Sequence, residues 1–162
     1  PDRHIPRLSD SKKVPPDERE DLFELIKVRA VAWSVGEATP VEIDTINIHR
    51  ASLRAMQRAV QLLAPCPDFV LVDAFRIPDL FMAQRAVIHG DARCTAIAAA
   101  SIVAKVTRDR EMVALHSRDP RYGFDRHKGY ATADHLAAVA QFGYSEAHRR
   151  SFRAATLFDT IT

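Results

Sequence analysis

Phe69-Val70-Leu71-Val72-Asp73 (FVLVD), the irregular AFRIPDLFMAQRAVIHGD up to Asp91, and ARCTAIAAASIVAKVTRDR up to Arg110 form the stretch from which the fold is read. Four apolar residues, branched or aromatic and preceded by Pro65 and Pro67, suit a short strand buried on both faces. The run stops on a carboxylate, Asp73. In open α/β sheets chemistry gathers where a buried strand ends, so an acid there is a site candidate. RAVIHGD reads as a second short strand ending on Asp91, just before a small-residue helix from Ala96 to about Leu115. The first two turns of that helix are nearly apolar, which predicts burial. Its alanines and Ser101 permit close approach. Asp73 and Asp91 are therefore expected to face one pocket from a strand end and a helix entry.

Working outward, 162 residues with 47% hydrophobic content suit one domain with a sizeable core. Charged residues make up 27% and the formal charge is +2, so bulk charge does not point to nucleic acid. The two cysteines, Cys66 and Cys94, have neither metal-ligand spacing nor the number for a disulfide framework. A reducing, cytoplasmic setting is the expectation. No signal-peptide pattern or membrane-length apolar run is seen, so no membrane partner is expected.

The opening PDRHIPRLSDSKKVPP is polar and irregular, with Ser11-Lys12-Lys13 in a mobile loop. Pro15-Pro16 starts a helix, followed by Asp17, Glu18, Glu20 and Asp21, which complement its dipole. Leu22, Leu25 and Ile26 form the inward stripe. Arg29 to Val35 (RAVAWSV) reads as a strand, with Val31, Trp33 and Val35 on one face. Ala30, Ala32 and Ser34 on the other leave room for a closely packed helix. Thr39-Pro40-Val41-Glu42 has the form of a capping box, and a helix follows from about Asn47 to Leu63. RYGFDRHKGYAT reads as a loop. Thr132 caps a helix with Leu136, Val139 and Phe142 inward and Gly143 at its end. SEAHRRSF is a short basic tail forming a turn or helix. Alternating helices and strands give an α/β fold class.

An acid after four apolar residues is costly to bury without compensation, and a divalent cation can supply it. Asp91 alone reads as helix-start electrostatics; beside Asp73 it becomes a candidate metal ligand. Two carboxylates are few for magnesium or manganese, and Asp109 lies too far along the helix to serve as a third. His127-Lys128-Gly129-Tyr130 can hold phosphates and pack a ring on a sugar or base. His148-Arg149-Arg150 and the Lys12-Lys13 loop add positive charge. Histidine pairs at zinc spacing, a glycine-rich phosphate loop, and a histidine-and-acid context for Ser101 or Cys94 are all missing.

The blocks SDSKKVPPDERE, PVEIDTINIHRASLRAMQRAV, FVLVDAFRIP, HGDARCTAIAAASIVAKVTRDREM, YGFDRHKGYATADH and HRRSF resemble bacterial ribonuclease HII, in that family's order, from about Pro6 to Phe152. The resemblance implies an RNase H-like mixed sheet flanked by helices, with a helical C-terminal part over 120–162 of a single 1–162 domain. It implies a divalent-metal-dependent (Mn2+ or Mg2+) endonuclease that cuts the RNA strand of RNA–DNA hybrids. Single ribonucleotides in duplex DNA are included, as in primer removal and ribonucleotide excision during replication and repair. Cleavage 5′ to the ribonucleotide would leave a 3′-hydroxyl and a 5′-phosphate. Two of the family's four carboxylates fall on Asp73 and Asp91, which makes them the catalytic metal ligands. The ribose-sensing tyrosine falls on Tyr130, with Lys128 beside it, and the basic loop near substrate phosphates falls on Lys12 and Lys13. The intact enzyme is expected to act as a monomer.

This chain also departs from the family pattern. The Asp-Glu pair with its Gly-Arg-Gly turn on an N-terminal strand, and a second apolar strand upstream of the basic loop, have no counterpart. Ala74 stands where the family usually has glycine. Two-metal cleavage needs several carboxylates to hold ions ~3.5–4 Å apart. The expectation is thus an N-terminally truncated chain that is inactive or nearly so. The alternative to an active nuclease is a catalytically incomplete fragment that only binds nucleic acid.

Overall fold

Helix α1 (Pro16–Arg29) begins at the proline pair and places Asp17 and Glu18 in its first turn and Lys27 and Arg29 in its last, matching the dipole at both ends. The computed structural model describes Ile5, Leu8 and residues 11–151. Most of the irregular opening, and the tail from Phe152, lie outside the described residues. The contacts form two units. One comprises residues up to Glu37 together with Ser52–Thr107, the other Ala38–Ala51 together with residues from Arg108 on. Among the described residues no helix is long and apolar enough to cross a membrane.

In the first unit, Leu22, Phe23 and Ile26 of α1 pack with Ile102, Val103 and Val106 of α5 (Thr95–Arg118), joined by Ile5 and Val14. Ile102 is fully buried, which alone contributes about 1.5–3 kcal/mol. The alanine-rich helix is not buried all round as its composition predicted: Ala96, Ala100 and Ala104 are exposed. Alanine is the strongest helix former and needs no apolar cover, so the run reports propensity more than burial.

β1 (Phe69–Asp73) and β2 (Ala83–Val87) pair in parallel, with Asp73 opposite Val87. This parallel pair is the whole of the sheet among the described residues, flanked by helices. β1 alternates: Val70 and Val72 turn inward, while Phe69 and Leu71 are 53% and 41% exposed. The expectation of a strand buried on both faces is corrected to one buried face. β2 starts earlier and ends four residues before Asp91, which lies instead in the short helix α4 (Gly90–Arg93). The connection between the strands is pinned by Gln84. Its side chain accepts from the Ile77 amide at 2.8 Å and donates to the Ile77 carbonyl at 2.7 Å.

The expected strand over Arg29–Val35 does not form, because no neighbouring strand offers a ladder among the described residues. Its alternation still governs packing. The Trp33 ring meets Phe23 of α1 edge-on at 6.0 Å, and Ser34 Oγ donates to the Ala59 carbonyl of α3 (Ile48–Gln61) at 2.5 Å. A side chain at Gly36 would lie 2.1 Å from the Ala55 carbonyl oxygen, so only glycine lets this segment reach the α3 backbone.

The second unit contains α2 (Pro40–Ile46), whose capping box between Thr39 and Glu42 forms as read. The expected loop RYGFDRHKGYAT is more ordered than that. It contains a 3-10 turn (Pro120–Tyr122) and α6 (Phe124–His127), with Tyr122, Phe124 and His127 buried. α7 (Ala133–Phe142) is capped by Thr132 and closed by Gly143, and Phe142 stays largely exposed while its ring meets Tyr122. The tail before Phe152 forms a turn.

Candidate active site

Asp73 closes β1, and the chain turns immediately: the Ala74 amide donates to the Val87 carbonyl at 2.9 Å and the Phe75 amide to the Asp73 carbonyl at 2.7 Å. The Asp73 carboxylate is held by the Gly90 amide, which donates to Oδ1 at 2.8 Å. Asp91 is the residue after that amide. A β-carbon at Gly90 would sit 3.2 Å from Asp73 Oδ1 and 2.5 Å from Ile97 Cδ1, so glycine permits this approach. One hydrogen bond thus ties the strand end carrying Asp73 to the turn carrying Asp91. Both acids are half-buried, and among the described residues neither pairs with lysine or arginine.

Carboxylate oxygens are the donors that magnesium and manganese prefer. Their number is the constraint: among the described residues no group of three or more His, Cys, Asp or Glu could hold a metal ion. The corner therefore suits, in kind, an ion held by two carboxylates and completed by water and phosphate oxygens. It does not reach the ligand count of a two-ion site. Asp109 belongs to the part of α5 in the second unit.

Lys12 and Lys13 are exposed on a turn in the first unit, separate in the chain from the two acids. The turn is clamped where the sequence suggested mobility. Arg19 of α1 is buried, donating from Nε to the Ser11 carbonyl at 3.0 Å and from Nη2 to the Val14 carbonyl at 2.8 Å. Nothing in the sequence singles out Arg19, which sits among the charged residues of an apparently solvated helix start.

In the second unit, Lys128 caps α6 in a left-handed conformation (φ 50°), and its Nζ donates to the Asp125 carbonyl. Tyr130 is 60% exposed, its backbone fixed by its amide to the His127 carbonyl at 2.9 Å and by Thr132 N–H to its own carbonyl at 2.8 Å. The histidines counted earlier with the basic groups behave otherwise. His127 and His135 are buried and stack at 4.3 Å, and His148 meets His135 Nε2 to Nε2 at 3.1 Å. Burial is the main cause that lowers the tendency of His135 and His148 to take a proton, followed for His135 by the Tyr130 hydrogen bond, which opposes it. His148 is thus no addition to the positive charge of the tail. Asp44 of α2 takes the Arg150 and Ser151 amides and the Ser151 hydroxyl, and these hydrogen bonds hold its carboxyl below the usual range. Nothing in the local sequence around Asp44 signals that long-range contact.

A profile of the Ribonuclease HII family matches residues 6–155. Ribonuclease HII of Polynucleobacter asymbioticus is 51% identical over 156 residues, covering 94% of this chain and 80% of that protein. Ribonuclease HII of Vibrio cholerae is 52% identical over 152 residues, covering 94% of this chain and 74% of that protein. The crystal structure of ribonuclease H2 from Pyrococcus horikoshii superposes with a TM-score of 0.74 at 25% identity, covering 95% of this chain and 81% of the other. That likeness gives the two-stranded pair and its helices their place in an RNase H-like α/β fold. By family match and by identity over most of its length, the chain belongs to the ribonuclease HII family of endoribonucleases.

Proposed function

We propose that the Asp73–Asp91 corner is a divalent-metal site of an endonuclease that cuts the RNA strand of RNA–DNA hybrids, including single ribonucleotides in duplex DNA. The observation that supports this reading is the 2.8 Å hydrogen bond from Gly90 to Asp73, which ties the strand end carrying Asp73 to the turn carrying Asp91. Magnesium or manganese bound there would place positive charge against the phosphate being cleaved. Lys12, Lys13 and Lys128 neutralise backbone phosphates, a contact that positions without reading sequence. The exposed ring of Tyr130 packs on the sugar at the ribonucleotide junction. Selection then rests on 2′-hydroxyls and helix shape, with little base preference.

One observation favours a second reading, in which the 162-residue chain binds substrate but cuts it poorly. Two acids without a third among the described residues hold an ion loosely. The test is manganese-stimulated cleavage of a duplex with one ribonucleotide, run beside a binding titration at several salt concentrations. Strong metal-dependent cutting supports the complete nuclease. Salt-dependent binding with little cutting, restored by adding an N-terminal segment with an Asp-Glu pair, supports the second reading. No binding at low salt overturns both.

A further inference from the structure

Three imidazoles lie in contact in the second unit, and the backbone around them leaves each ring one arrangement of protons. The Gly129 amide donates to His127 Nδ1 at 3.2 Å, so the proton of that ring is on Nε2, 2.7 Å from the Tyr122 carbonyl it serves. The Ser145 amide donates to His148 Nδ1 at 3.0 Å. The Ser145 hydroxyl, 2.7 Å from the same atom, accepts from the Ala147 amide and so points its own proton at the ring. His148 therefore carries its proton on Nε2 and donates to His135 Nε2 at 3.1 Å. His135 in turn carries its proton on Nδ1 and donates to the Tyr130 carbonyl at 2.9 Å. Every ring nitrogen has a hydrogen-bond partner in this arrangement, His148 Nδ1 having two, and the arrangement holds only when all three rings are neutral.

We infer that His135 and His148, with the His127 ring stacked on His135, are positioning residues that hold the Lys128–Tyr130 loop for nucleic acid while His135 and His148 are neutral and release it when they are protonated. This rests on the reading of Lys128 and Tyr130 as substrate contacts. A second proton on any ring sets two donors face to face: on His135 against His148, on His148 against the Ser145 amide, on His127 against the Gly129 amide. The last pair lies inside the loop; the His135 Nδ1–H bond to the Tyr130 carbonyl survives a second proton, which instead sets the ring against His148. Charged groups on the surrounding elements make none of these bonds. Asp119, the carboxylate that acts on His148, is held by two Arg121 hydrogen bonds of 2.8 Å. Asp125 faces His116 at 3.1 Å and Asp134 faces Arg126 at 3.8 Å. Tyr144 meets the His148 ring edge-on at 5.6 Å. Burial, which disfavours the charged ring, acts in the same direction on His135 and His148.

The expected pH dependence is opposite in sign to the usual one. Histidines on a nucleic-acid surface gain charge in acid and tighten binding to a polyanion; this loop should bind more weakly. The experiment records long-range proton–nitrogen NMR correlations of the imidazoles in the nitrogen-15-labelled 162-residue chain from pH 8 to pH 5. A single-ribonucleotide duplex is titrated at the same pH values. Expected are protons on Nε2 of His127 and His148 and on Nδ1 of His135 at pH 8. On acidification Kd should rise several-fold, with the Tyr130 amide shifting at the same midpoint. His135→Leu should raise Kd several-fold at pH 8. His135→Asn, whose amide can donate to Tyr130 without titrating, should recover most of that loss and flatten the acid response. Other tautomers, or binding that tightens in acid, overturn the inference and leave the nuclease reading standing. The stated tautomers with no duplex binding at any pH overturn the nuclease reading, and with it the role given to the loop.

Discussion

Ala74 follows Asp73 directly and holds a backbone φ of 59°, in the left-handed region where a β-carbon is penalised. That conformation costs an alanine about 1–2 kcal/mol. Glycine removes the penalty and adds about 0.4–1 kcal/mol of unfolded-chain entropy to be overcome. The alanine side chain is exposed, so its removal leaves no cavity. Ala74→Gly should therefore stabilise the chain by about 0.5–1 kcal/mol, a rise of roughly 1–4 °C in Tm for a chain of this size. Ala104→Gly supplies the contrast, because Ala104 is exposed within the ordinary helix α5. There the same substitution should cost about 1 kcal/mol. Urea unfolding of the three proteins reads both effects. Equal losses at the two positions would refute the assignment of strain to Ala74, and with it the geometry given to the turn beside Asp73.

Gly90→Ala should cost about 1–3 kcal/mol, since the new carbon meets buried Ile97, and it should weaken manganese affinity by loosening Asp73. Unchanged affinity in a folded Gly90→Ala protein would contradict that link. Arg19→Leu leaves the Ser11 and Val14 carbonyls without their donor. It should lower stability by about 1–3 kcal/mol and weaken hybrid binding through the Lys12-Lys13 turn, both readable by urea unfolding and anisotropy. Stability should also depend on pH. His135 and His148 take protons less readily folded than unfolded. Below about pH 6.5, the ordinary histidine value, the unfolded chain thus binds more protons and stability falls. Urea midpoints should be level from pH 8 to 7 and drop toward pH 5; a midpoint rising into acid would contradict the assignment.

The parts of the fold legible in the sequence are those decided locally. Thr39 and Glu42 announce their capping box, Pro16 its helix start, Thr132 and Gly143 the two ends of α7, and FVLVD its strand. Residues whose state depends on a distant partner were read less well. Arg29–Val35 has a strand's alternation but no ladder, since pairing is a property of the neighbour. The ordered aromatic segment Tyr122–Phe124 was hidden by Gly123 and Gly129, which mark turns whether or not the turns are buried. Asp73 and Asp91 stand out in the sequence as candidates because a strand end and a helix entry each carry an acid. The hydrogen bond from the Gly90 amide to Asp73 shows only in three dimensions. His148 has basic neighbours in the sequence, whereas burial and the adjacent His135 lower its tendency to take a proton.

Manganese broadening of backbone amide resonances tests the central claim most directly, since the paramagnetic ion erases signals near its site without requiring cleavage. Substoichiometric manganese should erase Asp73, Gly90 and Asp91 first, and Asp73→Asn should abolish the effect while the rest of the spectrum persists. Broadening centred elsewhere in the chain, or unchanged by Asp73→Asn, would show that the two aspartates do not share an ion.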